Sequence, residues 1–247
     1  MSPVVVAVAA VGGVLLGPLL RGQILRHAVP AGEPWRSECP RCAYPLVQSG
    51  WRGQFPILSP TGRCPSCQVR VGPRPGVVEV VTATILGALA WRVDDPLPLL
   101  ALCWVAAVGV ILAAVDIAVH RLPDRLALTA FLGAFVLLGA AALVDDRLGA
   151  DRTAVLCSLA VGVFYLALVL ISPAGMGLGD AKAAFTVGIV TGWFGWAVAL
   201  VGALAGFVLA GLYATGLLIL RRAGRKDHIP HGPFMLAGAL AAVLLAA

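Results

Sequence analysis

Charged residues are scarce in this chain of 247 residues: 12% are Asp, Glu, Lys or Arg, against 60% apolar residues and a mean hydropathy of +0.95. A soluble globular domain carries about 25% charged residues. A chain of this size has no interior large enough to hide such an apolar excess. That excludes a water-soluble fold and leaves lipid as the solvent. No basic stretch precedes the first apolar run, whereas Arg21 and Arg26 follow it. The run therefore reads as a first span with its N-terminus outside, not as a secretory signal. No internal repeat is evident. The six cysteines do not suggest a disulfide framework, because four of them fall in two tight Cys-x-x-Cys pairs.

Apolar runs lie at 3–20, 77–92, 97–115, 126–144, 153–172 and 234–247, where a crossing takes about 20 residues. The stretch 183–220 is too long for one crossing. Gly192 and Gly195, with the aromatics Trp193, Phe194 and Trp196, interrupt it. Tryptophan favours the membrane interface, which predicts two helices there. The expectation is an all-α polytopic membrane protein of about eight transmembrane helices. The chain divides into a first span over 1–20, a hydrophilic segment over 21–76 and a membrane-embedded domain over 77–247. The segment 21–76, rich in Pro, Gly and Arg, is too small to bury a core unaided.

Charge placement sets the orientation. Of the 18 Lys and Arg, 15 fall in 21–76, 116–125, 173–182 and 221–233, which alternate crossing puts on one face. The other three, Arg92, Arg147 and Arg152, share the opposite loops with Asp94, Asp95, Asp145, Asp146 and Asp151. The positive-inside rule assigns the first face to the cytoplasm. The net charge of +6 is then a topology signal, and membrane lipid rather than nucleic acid is the expected partner.

The hydrophilic segment contains Cys39-Pro40-Arg41-Cys42 and, after 21 residues, Cys64-Pro65-Ser66-Cys67. Two thiolates at i and i+3 can bite one ion from a tight turn, and a second pair completes a tetrahedral four-thiolate zinc site. The alternative is a redox-active or simply reduced set of thiols. A closed site leaves no open coordination position, so its role is structural, folding a segment that cannot fold alone. Cys103 and Cys157, inside spans, read as packing residues.

Acidic groups at membrane depth are costly and usually functional. Asp116 ends the third apolar run, and Asp180 stands in Gly177-Leu178-Gly179-Asp180-Ala181-Lys182. Both fall at the cytoplasmic end of a span and so share one depth. Two carboxylates held close cannot both ionise cheaply. One kept protonated and one free to take a proton from water is the apparatus of aspartic proteolysis. Gly177 and Gly179 would let a backbone approach Asp180. The bland alternative is that both acids merely anchor helix ends. Asp124, after Pro123 and before the apolar run 126–144, suits an N-cap or a supporting place in the site. A rival arrangement is a metal-binding face of Asp116, His120 and Asp124 at i, i+4, i+8, which would make a metal-dependent membrane hydrolase; Pro123 argues against a helix through it. A non-enzymatic zinc-ribbon scaffold or transporter is a third reading. His27, His228 and His231 read as solvated or interfacial.

These residues resemble the bacterial type IV prepilin peptidase family of aspartic proteases. The family pattern of an Asp, a following Leu-Pro-Asp and a later Gly-x-Gly-Asp-x-Lys reads here as Asp116, Leu122-Pro123-Asp124 and Gly177-Leu178-Gly179-Asp180-Ala181-Lys182. The two Cys-x-x-Cys pairs match the family's cytoplasmic domain. Weaker echoes are Val77-Val78-Glu79 and Ile229-Pro230-His231-Gly232-Pro233-Phe234. The resemblance implies cleavage of the basic leader of prepilins or pseudopilins after a glycine, at the cytoplasmic face of the inner membrane. It implies Asp116 and Asp180 as the catalytic pair, with Asp124, Gly177, Gly179 and Lys182 in support. It also implies methylation of the new N-terminus with S-adenosylmethionine. Here the sequence departs from the family: the usual Arg-Leu-Pro is blurred into Arg26-His27-Ala28-Val29-Pro30, and Tyr-Pro-Leu-Val-Glu into Arg74-Pro75-Gly76-Val77-Val78-Glu79. No residue is assigned to that cofactor.

Overall fold

The computed structural model describes residues 2–30, 32–46, 61–173, 175–222 and 229–247. Among them the chain is helical throughout the apolar runs. The helices are α1 (Pro3–His27), α2 (Val77–Arg92), α3 (Pro96–Val119), α4 (Asp124–Val144), α5 (Leu148–Ile171), α6 (Leu178–Gly192), α7 (Trp196–Ile219) and α8 (Gly232–Ala246). Five of them, α1, α3, α4, α5 and α7, are long and apolar enough to cross a membrane. Helices α2, α6 and α8 are shorter, at 16, 15 and 15 residues.

The long run breaks where Gly195 adopts φ +114, a conformation that L side chains avoid, and α7 restarts at Trp196. Helix α1 runs past residue 20 to His27 and passes through Pro18. Arg21, expected at the start of the hydrophilic segment, is therefore a helical residue. It is fully buried, with Nε 2.8 Å from Glu79 Oε1 on α2. Glu79 Oε2 in turn accepts the Gly76 N–H at 2.9 Å, at the N-terminus of α2. Removing one member of such a buried pair leaves an uncompensated charge.

Lipid supplies no hydrophobic drive between helices, so close packing carries much of their association. On α6, a Cβ at Gly188 would lie 2.6 Å from Ser158 Cα of α5, and one at Gly192 would lie 3.0 Å from Ala154 Cα. Cys157 is buried in the same α5–α6 contact, in agreement with a packing role.

Contacts divide the connections between two faces. On one, Arg121 of the α3–α4 loop donates to Pro30 O at 3.1 Å, and the Arg125 guanidinium lies 4.6 Å from the Trp35 ring centre. Lys182 of α6 meets Asp124 of α4 there, and Gly232 at the start of α8 meets Asp116 of α3. On the other face Arg147 pairs with Asp95, and its guanidinium lies over the Trp193 ring. Among the described residues, the ends of the four basic connections that make these contacts therefore share a side.

Candidate active site and metal centre

Asp116 lies in the last turn of α3 and is buried. The helix ends because His120 takes up the left-handed conformation, φ 51 and ψ 48, with its N–H on Asp116 O at 2.8 Å. The Asp116 carboxylate accepts the Gly232 N–H through Oδ2 at 3.0 Å, a free donor at the N-terminus of α8. Glycine at 232 leaves this contact undisturbed: a Cβ there would lie 2.9 Å from Asp116 Oδ2 and 3.3 Å from Leu122 Cδ2, and both side chains would have to shift.

Asp180 occupies the first turn of α6, half-buried, and its Oδ2 accepts the Gly177 N–H at 3.1 Å. Gly179 packs on the α3–α4 loop, where a Cβ would lie 2.9 Å from Leu122 Cβ and 3.3 Å from Leu122 O. Leu122 thus touches both Gly179, beside Asp180, and Gly232, beside Asp116. Two acids that are 64 residues apart in the chain come to one neighbourhood around Leu122, because one closes α3 and the other opens α6 on the same face.

Asp124 differs from the expectation of a cap. Pro123, with φ −64 and ψ 125, takes the N-cap position of α4, so Asp124 is the first helical residue and makes no capping hydrogen bond. Its carboxylate instead pairs with Lys182 Nζ at 2.7 Å. Both side chains are exposed, so the pair is worth about 0–1 kcal/mol. The metal-binding face of Asp116, His120 and Asp124 does not form, because the helix that would have carried it stops at Val119 and His120 points outward.

Two histidines also depart from the solvated or interfacial reading. His27 is buried, with Nδ1 2.9 Å from Gln23 O and its ring against Trp35. His231, half-buried, places Nε2 3.1 Å from the Tyr165 hydroxyl of α5. His228 lies outside the described residues. Neither Tyr165 nor the Gly232 N–H drew notice in the sequence: an apolar run hides a tyrosine, and a backbone donor has no sequence signature apart from the Gly-Pro that opens α8.

The four cysteines converge. Cys39, Cys42, Cys64 and Cys67 place their Sγ atoms within 4.8 Å of one another, with Cys39–Cys67 and Cys42–Cys64 both at 3.7 Å. Four sulfurs in a tetrahedron about an ion at ~2.3 Å would be spaced about 3.8 Å apart, so the set fits one metal ion. Each pair sits on the same kind of knuckle. Ala43 N–H bonds Cys39 O and Gln68 N–H bonds Cys64 O, both at 3.0 Å, with Ala43 and Gln68 at φ 53 and 57.

Two carboxylates from different helices thus stand at helix ends on one face, and four cysteines of the N-terminal segment lie close enough together to hold a metal ion. The model of the Type IV leader peptidase family matches residues 100–215, and that of the Bacterial Peptidase A24 N-terminal domain matches residues 11–93. A protein of Aeromonas salmonicida named prepilin leader peptidase/N-methyltransferase is 31% identical over 207 residues, covering 81% of this chain and 68% of its own length. Proteins of the same name from Pseudomonas aeruginosa and Bacillus subtilis are 31% and 28% identical, covering 81% and 85% of this chain and 68% and 81% of their own lengths. No solved structure matches the chain. The chain belongs to the type IV leader peptidase family and is an aspartic peptidase.

Proposed function

We propose that this protein removes the basic leader of type IV prepilins or pseudopilins, cutting after a glycine at the cytoplasmic face of the inner membrane. What supports this reading is the placement of Asp116 and Asp180 at helix ends on one face, each accepting a backbone N–H at a helix N-terminus, in a chain of this family. One carboxylate takes a proton from water as the water oxygen attacks the glycyl carbonyl carbon. The other gives its proton to the carbonyl oxygen. Collapse of the tetrahedral species breaks the C–N bond, and the amine leaves with a proton. The test is incubation of the purified protein with a prepilin in detergent, followed by sequencing of the product's N-terminus. A first residue other than the one after the leader glycine contradicts the reading.

In this reading all eight helices cross the membrane, the shorter α2, α6 and α8 within the bundle. Asp124 and Lys182 brace α4 against α6. Asp124→Asn keeps a hydrogen-bonding partner for Lys182 and loses only an exposed pair worth under about 1 kcal/mol. Cleavage by that variant should fall less than about fivefold, measured on the same substrate; complete loss in a folded variant would move Asp124 into the reaction itself.

The metal is zinc in this reading, one ion per chain, and it folds the segment around the two knuckles. Cys64 is fully buried, so Cys64→Ser should lower zinc occupancy by atomic absorption and open this segment to protease. A chelator should stop cleavage slowly, in step with unfolding. Instant loss of cleavage would return the metal-dependent hydrolase reading.

The relatives' name includes N-methylation. A cavity of about 350 Å³ between α2, α3 and α8 is lined by aliphatic residues such as Val81, Leu102, Val105 and Leu240. It offers no partner for the charged amino acid, sulfonium or adenine of S-adenosylmethionine, and does not fit it.

A further inference from the structure

We propose that Tyr165 and His231 are positioning residues: their buried hydrogen bond holds the N-terminus of α8, and with it the Gly232 donor, over Asp116. The inference rests on the assignment of Asp116 and Asp180 as the reacting pair.

Tyr165 is completely buried, on the part of α5 that faces α6 and α8. A buried phenol needs a partner, and the one it has is His231 Nε2 at 3.1 Å. The two rings close a cluster with Phe207 of α7, whose ring centre lies 5.2 Å from Tyr165 and 5.0 Å from His231. Residues from α5, α7 and the start of α8 are thereby fixed together. His231 is the N-cap of α8. The next residue, Gly232, donates to Asp116 Oδ2 at 3.0 Å. The Gly232 N–H belongs to the peptide unit that follows the His231 Cα, so anchoring the His231 ring restrains where this donor can lie. Tyr165 also shares a buried cluster with Ala181 and Ala184 of α6, the helix that Asp180 opens. A single side chain therefore lies in the packing that seats α6 and, through His231 and Gly232, supports the donor on Asp116. Burial pushes His231 below the ordinary histidine range. In the tautomer with its proton on Nδ1, the neutral ring accepts a hydrogen bond from the Tyr165 O–H at Nε2, and the site gains no extra positive charge.

The aspartates would remain chemically competent without this bond, but the Gly232 donor would no longer be held on Asp116. Misplacement of a reacting group lowers the chemical step more than substrate binding. The test measures kcat and KM of the full chain in detergent on a prepilin, with thermal unfolding of each variant. Tyr165→Phe should lower kcat about tenfold, the loss of one buried hydrogen bond, with KM unchanged. His231→Phe, which keeps the ring cluster, should fall as far. His231→Gln, whose amide oxygen can accept from Tyr165, should retain most of the rate. The Tyr165→Phe/His231→Phe double variant should be no slower than either single one.

An unchanged kcat in Tyr165→Phe, or additive losses in the double variant, overturns the proposal. If Tyr165→Phe does not fold, equal kcat for His231→Gln and His231→Phe overturns it. Full activity in Tyr165→Phe beside complete loss in Asp116→Asn would remove this inference and leave the peptidase standing. Full activity in Asp116→Asn would remove the peptidase assignment itself.

Discussion

Asp116→Asn and Asp180→Asn should each abolish leader removal, lowering the rate by at least about 10³-fold, while the protein remains folded in the membrane. An amide matches a carboxylate in shape and still accepts the Gly232 or Gly177 N–H that the structure places on these oxygens. What it loses is the ability to take a proton from water or to give one to the carbonyl oxygen. The two variants should be equally inactive, because acid and base act in the same step. The double variant should be no worse than either, since residues acting as one unit are not additive. Cleavage is followed by the mobility and mass of a prepilin. Near-normal cleavage by either single variant removes that aspartate from the reaction.

The second large effect concerns depth. Asp116 closes α3 and Asp180 opens α6, so the pair sits at helix ends and not at the middle of the bundle. A substrate with a basic leader followed by an apolar helix keeps its leader in the cytoplasm by the positive-inside rule. Its scissile bond then meets the carboxylates at the surface, where water is available. Gly177 is exposed and carries no side chain, so an extended backbone can come close to Asp180 there, whereas Gly179 is occupied by its packing on Leu122. Moving the substrate's cleavage glycine several residues into its apolar helix should abolish processing. The bond would then lie below the carboxylates and stay helical. The measurement is a set of prepilins with the glycine stepped through the junction, compared at fixed enzyme. Efficient cleavage of a displaced site would put the reaction at mid-membrane and contradict the placement of both aspartates.

The membrane class and the places of the helices were legible because apolar runs and charge asymmetry are one-dimensional signals. The break between α6 and α7 was read from Gly192, Gly195 and the tryptophans, and the backbone turns there. The four cysteines were legible because their spacing is itself the chemistry. Other features were not. Arg21 looked like the start of a basic loop, yet it is a fully buried partner of Glu79. Its pairing depends on how α1 lies on α2, which no local pattern records. Asp124 looked like a cap because it follows a proline, but the proline itself fills the cap and frees the carboxylate for Lys182. Tyr165 and the Gly232 N–H were illegible for the same reason. Each acts across helices far apart in the chain, and the meeting of α3, α5, α6 and α8 is a property of packing alone.

The most direct test of the assignment is co-expression of the wild-type protein and the two Asp→Asn variants with a candidate prepilin, followed by mass spectrometry of the prepilin's N-terminus. The wild type should yield a chain beginning immediately after the leader glycine, and both Asp116→Asn and Asp180→Asn should leave the leader intact. A leader removed equally well by either variant, or left whole by a folded wild type with every prepilin tried, would contradict the account.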